Sequence, residues 1–297
     1  MDVDQRIAEL SSDRTSGASE LTAEALAVFH ELALDAPDEE EARRAVRGAG
    51  LALLDAHPAM APLVHLLNQA LLCWDHEGSS VLTRLEEESK DRAKRLHEAG
   101  ARRVPEEGTL VLYSRSGSVL RSVQQACREG ACPDVILSEG RPAYEGLSLA
   151  RTLSKEGLDV RVTTDTDLIA RVGQADRVLI GADALCARGL VNKVGTRALF
   201  LVAWEEGVPV HVISGLDKLL PSSYAPVPPL TRETPLDHDL PGDIHQGARL
   251  FELAPLDHAR EVVTEEGSLS PQAVVARARA EPVHADLTQA LESRQKP

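Results

Sequence analysis

The chain has 297 residues, a formal net charge of −15, and 43% apolar residues with only 3% aromatics. The acidic balance argues against direct binding to nucleic acid phosphates or to an anionic membrane surface, both of which demand a cationic face. The length suits two domains, with cores built mainly from Leu, Val and Ala.

Residues 1–104 are expected to form a helical N-terminal domain. ELTAEALAVFHELALD (20–35) carries apolar residues at helical spacing without a glycine. DEEEARRAVRGAGLALLDAH (38–57) opens with acids, which suit the positive end of a helix. PAMAPLVHLLNQALLCWD (58–75) opens with a proline, tolerated in a first turn. SSVLTRLEEESKDRAKRLHEAG (79–100) starts with serine caps and stops at a glycine.

At Pro105 the pattern changes. TLVLYS (109–114), DVILSE (134–139), LDVRVTT (158–164), DRVLIGAD (176–183) and VPVHVIS (208–214) are short β-rich runs. Between them lie QQACREG (124–130), EGLSLARTLSKEG (145–157), DLIARVGQ (167–174) and NKVGTRALFLVAWEEG (192–207), which read as helices. This alternation predicts an α/β fold: a Rossmann-like parallel-sheet domain over 105–297, covered by helices on both faces. The proline-rich stretch 221–243 reads as an irregular crossing, REVVTEEGSLSP (260–271) as one further strand, and the rest as a C-terminal helical tail.

Cys73, Cys127, Cys132 and Cys186 show neither CxxC spacing nor an accompanying histidine ladder, so no zinc site and no disulfide framework is expected. No apolar run approaches the ~20 residues of a membrane span, and a soluble, cytoplasmic protein is expected. SRSGS after the first strand is not G-x-G-x-x-G, which disfavours a nicotinamide-dependent oxidoreductase. No cofactor is expected.

Ligands of parallel α/β sheets bind beyond the carboxyl ends of the strands. Ser114, Ser116, Glu139, Arg141, Asp165, Asp183, Asn192 and Lys193 all fall at such ends. Asp183 reads either as a site carboxylate or as a cap of the following turn. Arg141 reads as a ligand-binding cation or as a local partner of Glu139. Asp165 reads best as the N-cap of the next helix. Asn192, Lys193, Gly195 and Thr196 read as an anion site at a helix N-terminus, or as an ordinary helix start.

The order of SEGRPAYEG (138–146), TTDTD (163–167), LIGADAL (179–185) and GLVNKVGT (189–196) resembles one family. It comprises the alpha, beta and delta regulatory subunits of initiation factor 2B, together with methylthioribose-1-phosphate and archaeal ribose-1,5-bisphosphate isomerases. LFELAPLDHAREVVTEEGSLSP (250–271) and SGASELTAEAL (16–26) also look like family segments. The resemblance implies a helical domain before a Rossmann-like one, and dimers or larger assemblies through the latter.

For the isomerases it implies a catalytic Asp, matched by Asp183, and a catalytic Cys, whose position is held here by Ser114. Tyr113 stands at the neighbouring His position. A tuned thiol exchanges protons near neutrality, whereas a serine hydroxyl needs a base. Two family arginines, within an early Arg-Gly-Ala-Gly turn and a later Arg-Pro, are replaced by Ser16 and His57. Each loss removes a charge-assisted contact worth about 1.5–3 kcal/mol, with Arg14 and Arg115 as candidate substitutes. The resemblance therefore points to a regulatory or binding protein with a phosphosugar or nucleotide pocket formed by Ser116, Glu139, Arg141, Asn192 and Lys193. The alternative is an aldose–ketose isomerase acting on a 1-phosphorylated sugar, with Asp183 passing a proton between oxygens.

Overall fold

The computed structural model describes residues 2–13, 17–58, 60–224, 230, 233–234, 236 and 244–288. Helices come first: α1 (Val3–Ser12), α2 (Ala18–Asp35), α3 (Glu39–Ala56), α4 (Ala61–Glu77) and α5 (Ser80–Ala101). Their apolar stripes meet in one core, in which Leu21, Phe29, Val46, Leu53, Leu67 and Leu82 are buried. Asp38 caps α3 by accepting from the Glu41 N–H at 2.9 Å.

Three end signals differ from the sequence reading. The first-turn proline of α4 is Pro62, not Pro58. Ser79 does not cap α5 with its own side chain; it donates its Oγ–H and backbone N–H to Glu39 at 2.7 and 2.8 Å. Gly100 does not end α5. It is the penultimate residue of the helix, and Ser122 packs so closely that only glycine fits: a Cβ there would meet the Ser122 Oγ at 2.2 Å.

Beyond Pro105 strands and helices alternate: β1 (Thr109–Tyr113), α6 (Gly117–Arg128), β2 (Asp134–Ser138), α7 (Glu145–Lys155), β3 (Val160–Thr163), α8 (Asp165–Ala170) and β4 (Arg177–Ile180). Next come β5 (Ala184–Cys186), β6 (Gly189–Lys193), α9 (Thr196–Glu205) and β7 (Val210–Ile213). The chain continues through β8 (Glu233–Thr234), β9 (Ala248–Arg249), β10 (Phe251–Ala254), β11 (Glu261–Thr264), β12 (Gly267–Leu269) and α10 (Pro271–Ala280). The main sheet has the order β12-β11-β7-β4-β1-β2-β3. Every pairing in it is parallel except β11 with β12.

The chain moves outward from β1 in one direction through β2 and β3, then returns to the other side of β1 with β4. The order therefore reverses between β1 and β4, which opens a crevice beyond their carboxyl ends. Ser114 follows β1 and Asp183 closely follows β4, so the topology sets both at that crevice.

Two departures matter for the site. NKVGTRALF is not helical from its start: Asn192 and Lys193 end β6, which with β5 and β10 forms a separate antiparallel sheet. REVVTEEGSLSP is a hairpin of β11 and β12 rather than one strand. Most of the expected crossing at 221–243 lies outside the described residues, and α10 supplies a helix in the tail.

The end of the chain leaves the α/β layer. Asn68 on α4 donates to the Pro282 carbonyl at 2.8 Å and accepts from the His284 N–H at 2.9 Å. Arg47 pairs with Asp286 at 2.6 Å, and Leu287 is buried in the helical core. Residues distant in sequence thus complete the N-terminal layer.

Candidate functional site

The site begins with two non-glycine residues in left-handed backbone. Ser114 has φ 62° at the end of β1, and Tyr144 has φ 54° just before α7. Such residues cost local strain and persist only where their surroundings hold them. The strained turns bring two side chains together: the Ser114 Oγ–H donates to Glu145 Oε1 at 3.0 Å. Lys193 reaches the same oxygen from β6, its Nζ at 2.8 Å. The same Lys193 Nζ also donates to the Gly140 carbonyl at 3.3 Å. Lys193 is itself buried, so its charge depends on these partners. The other carboxylate oxygen, Glu145 Oε2, is buried without a hydrogen-bond partner among the described residues.

Asp183 stands on the turn between β4 and β5, tied by its N–H to the Val191 carbonyl at 2.8 Å. Burial pushes its carboxyl above the ordinary value of 3.8; the Glu145 charge adds to the rise, while Lys218 and Lys193 oppose it. The same interactions show that these four charged groups share one neighbourhood. Asp183 therefore keeps a proton to higher pH than an ordinary carboxyl.

Lys218 was not singled out in the sequence. It sits on the turn after β7 and donates to the Ala182 carbonyl at 2.6 Å. That turn is held by Glu265, which accepts from the Leu216 N–H at 3.1 Å and pairs with Arg92 of α5 at 3.1 Å. The helical layer thereby helps to aim a lysine at the sheet rim. Glu145 was missed as well, although it lies in the same motif as Glu139 and Arg141. The strand-end rule that selected the others would have found Lys218 on SGLDK; Glu145 carried the signal of an acid opening a helix.

The remaining predicted residues divide. The Glu139 N–H donates to the Thr163 carbonyl at 2.8 Å, and no hydrogen bond or ion pair engages its carboxylate among the described residues. Arg141 does not pair with Glu139. Its guanidinium is exposed, donates to the Tyr144 hydroxyl at 2.6 Å and lies over that ring, 5.1 Å from the centroid. The Gly140 and Arg141 N–H groups both donate to Asp165, at 3.2 and 2.8 Å. Asp165 is thus a clamp on the Glu139–Arg141 turn, and the N-cap of α8 is Thr164, which accepts from the Asp167 N–H at 3.3 Å.

Ser116 caps α6 and packs its Oγ against Gly181. Asn192 and Lys193 do not act as a pair: neighbours on a strand face opposite ways, and the Asn192 amide donates to Thr196 Oγ1 at 3.0 Å. The N-terminus of α9 is not an open anion site either. Glu252 of β10 already accepts from the Gly195 and Arg197 N–H groups, at 2.9 and 2.8 Å.

Tyr113 donates its hydroxyl to the Val194 carbonyl at 2.5 Å, and burial, reinforced by Asp165, Glu252 and Glu145, raises its pKa strongly. It is unsuited to proton exchange near neutrality. Cys127 is at the far end of α6 from Ser114. His57 bonds to the Leu10 carbonyl at 2.7 Å. Arg14 and Ser16 lie outside the described residues, and Arg115 is exposed.

Beside the rim, a cavity of about 690 Å³ lies between α2, α4, α5, the first turn of α6 and the turn at Lys218. Arg92, Arg121 and Lys218 line it with His65, whose pKa falls to about 4 through burial and the Arg92 charge. Ser114, Glu145 and Asp183 do not line this cavity; Lys218 belongs to both its wall and the rim cluster. Its volume falls in the range of small-molecule sites.

Comparison with known proteins agrees with this architecture. The chain is 29% identical over 294 residues to ribose 1,5-bisphosphate isomerase of Haloterrigena turkmenica, covering 90% of each protein. It is 28% identical over 271 residues to the putative translation initiation factor eIF-2B subunit 2-like protein of Pyrococcus furiosus, covering 89% of this chain and 94% of that one. The crystal structure of Pyrococcus horikoshii OT3 translation initiation factor eIF-2B superposes with a TM-score of 0.76 at 26% identity, over 91% of this chain and 97% of that one. Among the described residues no helix is long and apolar enough to cross a membrane. Residues 14–226 match the model of the initiation factor 2 subunit family, and with the helical layer and strand-end motifs in place, the chain belongs to that family.

Proposed function

We propose that the protein binds a phosphorylated sugar, or the phosphorylated sugar of a nucleotide, at the crevice beyond β1 and β4, and that it does so as a regulatory or binding member of its family. The observation that carries this reading is Lys218, which donates to the carbonyl of Ala182, next to Asp183, at 2.6 Å and also lines a cavity of mixed charge with Arg92, Arg121, Glu86 and Asp217. The Lys218 ammonium and the Arg121 guanidinium, both on the cavity wall, offer an anion charge-assisted hydrogen bonds. The test is a thermal-shift series with ribose 1,5-bisphosphate, methylthioribose 1-phosphate, nucleoside monophosphates and inorganic phosphate. A true ligand at a hundredfold excess over its Kd stabilises the fold by about 2.7 kcal/mol. Equal, small shifts from all four compounds would leave only a general salt effect and remove the reading.

Assembly through the C-terminal domain belongs to the same proposal. Leu201, Trp204 and Phe251 expose 45%, 65% and 41% of their surface on α9 and β10, where large apolar side chains favour a covered face. Light scattering is expected to give twice the chain mass or more, and Trp204→Glu to lower it. A monomeric mass for the unmodified protein at micromolar concentration would exclude this assembly.

A second reading is favoured by the Ser114–Glu145 hydrogen bond: the bound sugar is isomerised from aldose to ketose. The sequence leaves Ser114 without a histidine base; the fold brings a carboxylate to it.

A further inference from the structure

The isomerase reading leaves one task unassigned, since Asp183 can shuttle protons between oxygens but the family's cysteine is absent. We propose that Ser114 and Glu145 together move the carbon-bound proton, with Glu145 as the base and the Ser114 hydroxyl as the relay that touches the substrate. The inference rests on that reading and deepens it.

The geometry is specific. Ser114 holds the position at the end of β1 that the resemblance gives to the cysteine. Its hydroxyl is already committed as a donor to Glu145 Oε1 at 3.0 Å, which leaves the oxygen's lone pairs free to accept a proton from carbon. Lys193 fixes that carboxylate from the opposite element at 2.8 Å. Oε2 is buried and unpartnered among the described residues, an arrangement that costs stability and calls for a functional reason. Among the described residues, the two in left-handed backbone outside glycine are Ser114 itself and Tyr144, the neighbour of Glu145. Both strained positions therefore serve this one contact.

The step balances without an external reactant. The Asp183 carboxyl gives its proton to the ring oxygen of a furanose 1-phosphate, and the C1–ring oxygen pair leaves with that oxygen. The C2 hydrogen passes as a proton to Ser114 Oγ while the serine's own proton moves to Glu145 Oε1, and the C–H pair becomes the C1–C2 double bond. The C2 hydroxyl then returns a proton to Asp183 and becomes the ketone. C1 takes a proton from Ser114, which recovers one from Glu145. Nothing is oxidised or reduced overall, and every side chain ends as it began.

The experiment uses ribose 1,5-bisphosphate and methylthioribose 1-phosphate with the full chain in D2O. The unmodified protein is expected to turn over one of them and to place solvent deuterium at C1. Glu145→Gln preserves shape and is expected to lower kcat by about 10²–10⁴-fold with the Kd for the sugar phosphate changed by less than about threefold. Ser114→Ala keeps the Glu145–Lys193 pair and gives the same loss, so it serves if Glu145→Gln fails to fold. Ser114→Cys is expected to retain turnover. Turnover by the unmodified protein that survives within tenfold in both Glu145→Gln and Ser114→Ala overturns the relay and leaves the isomerase reading standing. Binding without any turnover by the unmodified protein overturns both.

Discussion

On the isomerase reading, Asp183→Asn is expected to reduce turnover of a 1-phosphorylated sugar by about 10²–10⁴-fold, the usual contribution of a positioned acid. The substitution keeps size and hydrogen-bonding capacity but removes the transferable proton. Its pH signature follows from the direction of the shift. Burial raises the Asp183 carboxyl above 3.8, so its acid form persists further toward neutrality than that of an ordinary aspartate. Acid-dependent turnover is full below the raised value and is lost as pH climbs through it.

Stability runs the same way. The native state binds the extra proton, so stability contributed by protonated Asp183 is fully present below 3.8 and declines as pH rises toward the folded value. Asp183→Asn removes that slope. Kinetics and urea titrations across pH check both statements together; an Asp183→Asn protein with unchanged kcat, or the same stability profile as its parent, removes Asp183 from the chemistry.

The largest expected loss of stability comes from Gly146→Ala. Gly146 follows Glu145 in the first turn of α7 and passes directly beneath the end of β2. A Cβ there would lie 1.8 Å from the Ser138 carbonyl oxygen. That atom is backbone in a buried strand, so it has nowhere to retreat. Overpacking of this kind costs about 3 kcal/mol or more. The clash also pushes α7 away from the strand ends and carries Glu145 from Ser114, so ligand binding should weaken with stability. Gly48→Ala is the internal control: it lies exposed in α3 with nothing within 4 Å of the added carbon. There alanine's helix propensity is expected to add about 0.5–1 kcal/mol. Urea midpoints that rank Gly146→Ala beside Gly48→Ala would refute the close approach.

Much of the fold was legible because it rests on local periodicity. Leu21, Ala25, Val28 and Phe29 recur at helical spacing, and the runs around Val111, Ile136 and Leu179 are short and apolar with turn residues between them. The errors arose where one element's end depends on another element. Gly100 reads as a helix stop, but the close approach of Ser122 gives it a packing role one residue inside the helix end. NKVGT reads as a helix start until β10 pairs with β6 and Glu252 fills the helix terminus. Neither partner is nearby in sequence.

The candidate site shows the same division. The sequence by itself determined that polar residues cluster at the ends of parallel strands, because apolar runs and their breaks fix where each strand stops. It also placed Ser114 at the position to which the family resemblance assigns a cysteine. Only the tertiary structure decided which of those residues meet. It turned Arg141 outward to Tyr144, set Asp165 as a clamp on a loop, and drew Glu145 and Lys193 onto Ser114. The physical reason is range: strand ends follow from interactions among near neighbours, whereas a carboxylate, a hydroxyl and an ammonium from three separate elements are brought together by the reversal of strand order and by the packing of a second sheet.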